Sequence, residues 1–155
     1  MKSKTYKHGI PITVSAVTNF LKKIIADETI TLQVEIFTDH GEWAYGATAM
    51  VGDDNKSLIV SVNTDLSEGR DVRDLLFHEV GHLKGKDNHH PSQVERELSA
   101  QIWAIKRAKQ LKMTNRYKYL KWELEKRWTT KYYKWNSCYR KYIMANKLAK
   151  ERGLI

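Results

Sequence analysis

Cysteine is nearly missing from this 155-residue chain, in which Cys138 stands alone. An internal disulfide is excluded, and a reducing compartment suits such a chain. Proline is almost as scarce, with Pro11 and Pro91 only, and neither glycine nor proline interrupts residues 114–152. A stretch so free of breakers is expected to be helical almost throughout. No apolar run reaches the roughly 18 residues that a membrane helix needs, so no membrane span is expected. The lysines of residues 1–8 have no apolar stretch behind them, so no secretory signal is expected and a cytoplasmic location is. Acidic residues are scarce at one end alone. Residues 1–104 hold 11 Lys+Arg against 15 Asp+Glu, whereas residues 105–155 hold 16 against 3.

What is present reads as an α+β chain. Ser15 is a candidate cap for a first helix whose apolar residues Val17, Phe20, Leu21, Ile24 and Ile25 recur at spacings of three and four. Residues 30–37 alternate, with Ile30, Leu32, Val34 and Ile36 on one side, which predicts a half-buried strand. Residues 43–51 and 57–63 predict two more strands, separated by the turn Gly52-Asp53-Asp54-Asn55. From Asp71 the period returns to that of a helix, ending near Gly85. Ser92 then caps another helix carrying Val94, Leu98, Ile102 and Ile105. The expected organisation is a domain over 1–112 and a basic, aromatic-rich helical extension over 113–155.

The chemistry is concentrated in His78-Glu79-Val80-Gly81-His82. Residues four apart share one face of a helix, so both imidazoles can meet one ion. Two histidines and a carboxylate make a three-ligand zinc site with a position left for water. Glu79 is then the general base for that water, whose pKa a bound metal lowers toward roughly 7. The third ligand has more than one candidate. His89 lies one residue beyond the spacing of the metzincin pattern that His82-x-x-Gly85 begins, and His90 stands beside it. Glu97, near the start of the next helix, is the preferred candidate. It shares a helical face with Ala100, Gln101 and Ala104, and the two alanines permit close helix approach. Glu95 points elsewhere and suits the first turn of a helix.

An HExxH motif followed on the next helix by Glu97-Leu98-Ser99-Ala100 resembles the gluzincin signature. The order of strands before it is similar to that of minigluzincins and of the ImmA/IrrE-like metallopeptidases of phages and mobile elements. The resemblance covers about residues 12–110 and includes Ala100-Gln101-Ile102-Trp103-Ala104. It implies His78, His82 and Glu97 as ligands of Zn2+, Glu79 as base, and hydrolysis of a protein or peptide substrate, in the host cytoplasm if the chain is phage-encoded. It also implies an edge strand beside the metal that takes the substrate as one more strand, for which residues 43–51 are the candidate, although the small residues of that strand equally suit helix packing behind it. The sequence departs from the pattern at Gln101, where many gluzincins have an acid that orients the first histidine. Asp74, one turn before His78, is a candidate substitute, and it equally suits the first turn of a helix as an acid there. Tyr45, His89 and His90 are conceivable electrophiles.

In the extension, Leu120, Leu124, Trp128, Tyr132, Trp135, Tyr139 and Tyr142 step by three and four, the pattern of a packing stripe on one helix. Lysines and arginines on the other faces suit nucleic acid or an acidic protein. Two functions follow: a zinc peptidase whose basic helical part recruits substrate, or a nucleic-acid-binding or assembly protein on a non-catalytic metallopeptidase scaffold.

Overall fold

A computed structural model describes residues 6–40, 46–66, 70–132 and 139–155. The architecture is α+β, as the alternation of periods predicts. It divides into two compact units, Met1–Val80 and Gly81–Ile155, and the division falls inside one continuous helix. The boundary expected at 112/113 lies within the second unit. Trp43, Tyr45, Tyr133, Trp135 and Cys138 lie outside the described residues.

In the first unit, α1 (Val14–Ile25) buries Val17, Phe20, Leu21, Ile24 and Ile25, the stripe that its spacing predicts. Its cap is Thr13, not Ser15: the Thr13 hydroxyl accepts from the Ala16 N–H at 3.1 Å. Both residues carry the required oxygen, but Thr13 has the extended backbone that a cap needs, while Ser15 is already helical. The helix ends at Ala26, which is left-handed. Three strands follow, β1 (Thr31–Phe37), β2 (Ala47–Val51) and β3 (Ser57–Asn63), in the sheet order β1-β3-β2. β3 is central, parallel to β1 and antiparallel to β2. Its Leu58, Val60 and Val62 are fully buried; β1 alternates between exposed and half-buried residues along most of its length, as does β2 beyond the buried Ala47. The β2–β3 turn closes through Asn55 at φ 59°, a conformation that asparagine tolerates. At the unit's end, Phe77 meets Phe20 edge to face, with ring centroids 5.7 Å apart.

α2 (Val72–Lys84) starts where the Asp71 carboxylate accepts from the Arg73 backbone N–H and guanidinium. The guanidinium's pKa is raised, chiefly by that side-chain hydrogen bond. Beyond α2 the second unit comprises α3 (Gln93–Gln110), α4 (Thr114–Trp122) and α5 (Arg140–Glu151). Leu98, Leu124, Trp128, Ala145 and Ala149 form its apolar cluster, against which Val94, Ile102, Ile105, Tyr142 and Leu148 pack. α3 and the extension thus share one core.

The continuous C-terminal helix that the sequence predicts is broken. After Trp122 the chain widens into a π-helical turn over Glu123–Arg127, closed by the Trp128 N–H donating to the Glu123 carbonyl at 2.9 Å. Beyond it Thr129 returns its hydroxyl to the Lys126 carbonyl at 2.7 Å, a local bond that competes with helix. Buried side-chain amides serve the carbonyls in and around the wide turn. Gln101 donates to Leu120 at 2.9 Å, and Asn146 donates to Leu124 at 2.8 Å. The expected single stripe is therefore divided. Leu120, Leu124 and Trp128 are buried, Tyr132 is 51% exposed, and Tyr142 packs on Trp128 from α5.

Candidate metal centre

Helical period alone brings His78 and His82 one turn apart along α2. The residue between them in the second unit, Gly81, sets how near α3 can come. A Cβ built on Gly81 would lie 2.2 Å from the Ala100 carbonyl oxygen, and one on Gly85 would lie 2.6 Å from the Ser99 hydroxyl. No side chain fits at Gly81 unless the helices separate. Ala100 and Ala104 are themselves fully buried, in keeping with the close approach that the two alanines predict.

The loop between the helices is held by its own polar groups. The Asp87 N–H donates to the Ser99 hydroxyl at 2.9 Å, and the Asn88 amide donates to the Leu83 carbonyl at 2.8 Å. Arg96 donates to the carbonyls of His90 and Pro91. Ser92 caps α3, accepting from the Glu95 N–H at 3.5 Å. These bonds fold α3 back along α2 and carry Glu97 to His82.

The outcome is a close group. His82 Nε2 is 3.3 Å from Glu97 Oε2, and one ligand atom from each of His78, His82 and Glu97 lies within 4.8 Å of the others. His78 and Glu97 are buried and His82 is half-buried. Two imidazole nitrogens and a carboxylate oxygen at this separation can hold a metal ion. Glu79, adjacent in sequence to the first histidine, is also buried. His89, the other candidate for the third ligand, is exposed and outside the group, and His90 is exposed with its Nδ1 accepting from the Ser92 N–H.

Residues around the group behave differently from one another. Glu95 does point elsewhere: the Arg152 guanidinium grips its carboxylate, with one bond at 2.9 Å, and holds its pKa below the ordinary value. Gln101, one turn beyond Glu97, is fully buried and commits its amide nitrogen to Leu120 and to the Glu123 carboxylate. Gln101 thus ties α3 to the end of α4. Asp74 is buried. One neighbour had no signal in the motif: Lys141, from α5, places its amine 3.4 Å from Glu97 Oε1. Nothing in local spacing links a lysine on the last helix to a carboxylate on α3, and only tertiary packing brings them together.

No protein-family model matches the chain, and no curated protein or solved structure matches it.

Proposed function

We propose that the chain is a zinc-dependent peptidase of the gluzincin kind, cleaving peptide bonds in a protein or peptide substrate. The observation that supports it most is the grouping of His78, His82 and Glu97 around a helix that carries Glu79 directly after the first histidine. Two nitrogens and one carboxylate oxygen are the donors that zinc takes in three-ligand hydrolytic sites, whereas magnesium and calcium favour all-oxygen sets. When bound, the ion supplies Lewis acidity and makes a water nucleophilic near neutral pH. Glu79 accepts the proton of the attacking water and delivers it to the nitrogen of the departing amine. Glu97 adds the negative charge that offsets part of the ion's own. At the sheet edge β2 has β3 as its neighbour among the described residues, and such an edge accepts an extended peptide as a further strand. Replacing Glu79 with Gln keeps the donors and removes the base. The expected result is undiminished zinc and a loss of cleavage of about 100-fold or more across a peptide library. Cleavage at the wild-type rate by Glu79→Gln would overturn the assignment.

Charge favours a second reading. The second unit holds 19 basic residues against 6 acidic ones, and the first holds 8 against 12. Trp122 and Tyr132 pack edge to face at 5.5 Å and remain partly exposed beside the exposed Lys121 and Lys131. That combination suits the phosphates and bases of a single-stranded nucleic acid. In this reading the scaffold binds nucleic acid or assembles with an acidic protein, and hydrolyses nothing. Titration with an oligonucleotide at two salt concentrations tests it: phosphate contact requires affinity that falls steeply with salt, and a flat response rules it out.

A further inference from the structure

Glu97 is engaged at both carboxylate oxygens, and the two partners come from different helices. Oε2 faces His82 of α2 at 3.3 Å, while Oε1 faces the Lys141 amine of α5 at 3.4 Å. The Glu97 side chain is 7% exposed and that of Lys141 is 19% exposed, so water screens this ion pair far less than a surface pair. The amine is delivered by an anchored helix. Ile143, Ala145, Asn146 and Ala149 of α5 are buried, and the Asn146 amide is bonded to the Leu124 carbonyl. At the end of α5, Arg152 grips Glu95 in the first turn of α3. The extension that composition marks as a recruiting element also reaches the candidate metal centre.

On the footing of the metal site proposed above, we infer that Lys141 is a positioning residue that reserves one oxygen of Glu97 and restricts this ligand to a single bond to the ion. A carboxylate ligates through one oxygen or through both. The Lys141 ammonium beside Oε1 puts positive charge where a second bond would bring the ion, and leaves Oε2, on the His82 side, as the donor. Coordination space is then kept for water and for the substrate carbonyl, which a hydrolytic site needs open. The same positive charge opposes a dication, so the donors bind the ion less tightly than they would without Lys141. Removing that charge acts in opposite directions on two readouts: metal binding tightens while turnover falls. Damage to packing would weaken both.

The test uses the full chain loaded with Co2+, comparing wild type, Lys141→Met and Lys141→Arg. Methionine keeps most of the aliphatic stem and spares the packing. Wild type and the Arg variant are expected to show the intense visible absorption of four-coordinate Co2+. In the Met variant that band is several-fold weaker, as coordination rises. Chelator competition finds zinc held about tenfold more tightly by the Met variant, and its peptide cleavage is reduced. The inference is overturned if Lys141→Met leaves spectrum and affinity unchanged, if it loosens the metal, or if wild type already gives a weak, high-coordination spectrum. The wild-type spectrum decides even should the Met variant fail to fold. A wild-type chain that takes up no Co2+ removes the metal site itself and the proposed function with it.

Discussion

Gly81→Ala puts the close approach of α2 and α3 to a test of sign. In a helix interior, glycine to alanine ordinarily stabilises by about 1 kcal/mol, because alanine restricts the unfolded chain and favours helix. Here the added Cβ would stand 2.2 Å from the Ala100 carbonyl oxygen, 2.7 Å from its carbon and 2.8 Å from its Cα, where 3.4 Å begins ordinary contact. These are backbone atoms, so no rotamer change relieves them, and α3 must move off by roughly 1 Å. Overpacking of this kind costs about 1–3 kcal/mol. Set against the propensity gain, the variant is expected to lose up to about 2 kcal/mol, seen as a fall of up to roughly 8 °C in Tm for a chain of this size. The same displacement draws Glu97 away from His82, now 3.3 Å distant. Zinc affinity should therefore drop by about 10–100-fold, as it does when a ligand's support is lost. Thermal unfolding by circular dichroism and a chelator competition read the two effects separately. A variant that melts higher than wild type and binds zinc equally well would show that Gly81 is an accident of sequence.

The remaining predictions address other parts of the account. Glu97→Ala is expected to lose most of the zinc and His89→Ala none of it, by elemental analysis; the opposite pattern would transfer the ligand role to His89. Leu124→Ala, at a residue 1% exposed in the core of the second unit, should cost about 2–5 kcal/mol in denaturant unfolding, and a loss below 1 kcal/mol would refute the shared core of α3 and the extension. The Glu95–Arg152 pair carries a pH signature. Its folded-state carboxylate has a lowered pKa, so its stabilisation is present above the ordinary value of 4.5 and is lost as pH falls through the folded value. Arg152→Met should thus be less stable than wild type at neutral pH and converge on it in acid; a gap that persists unchanged into acid would contradict this.

Local periodicity made much of this protein legible. The spacing of Val17, Phe20, Leu21 and Ile24 specified α1, alternation specified β1, the turn before an apolar run specified β3, and Ser92 marked the start of α3. The grouping of His78, His82 and Glu97 was readable for the same reason: two residues share a helical face, and a short polar loop returns the next helix. The break after Trp122 was not readable, because it uses neither glycine nor proline. It depends on a π-helical turn whose carbonyls are served by Gln101 and Asn146, both distant in sequence. Gln101 was singled out for its place beside the site, and nothing local marked that its amide nitrogen is directed to α4. Lys141 was hidden more deeply. One lysine among many in a basic segment carries no mark of its position, and its approach to Glu97 exists only after α5 has packed.

The central claim is that His78, His82 and Glu97 form a metal centre, and elemental analysis of the purified full chain tests it most directly. The account predicts close to one equivalent of zinc per chain, lost when Glu97 is replaced by Ala and retained when Glu79 is replaced by Gln. A wild-type chain that holds no zinc after purification, and takes up none when zinc is supplied, would contradict it.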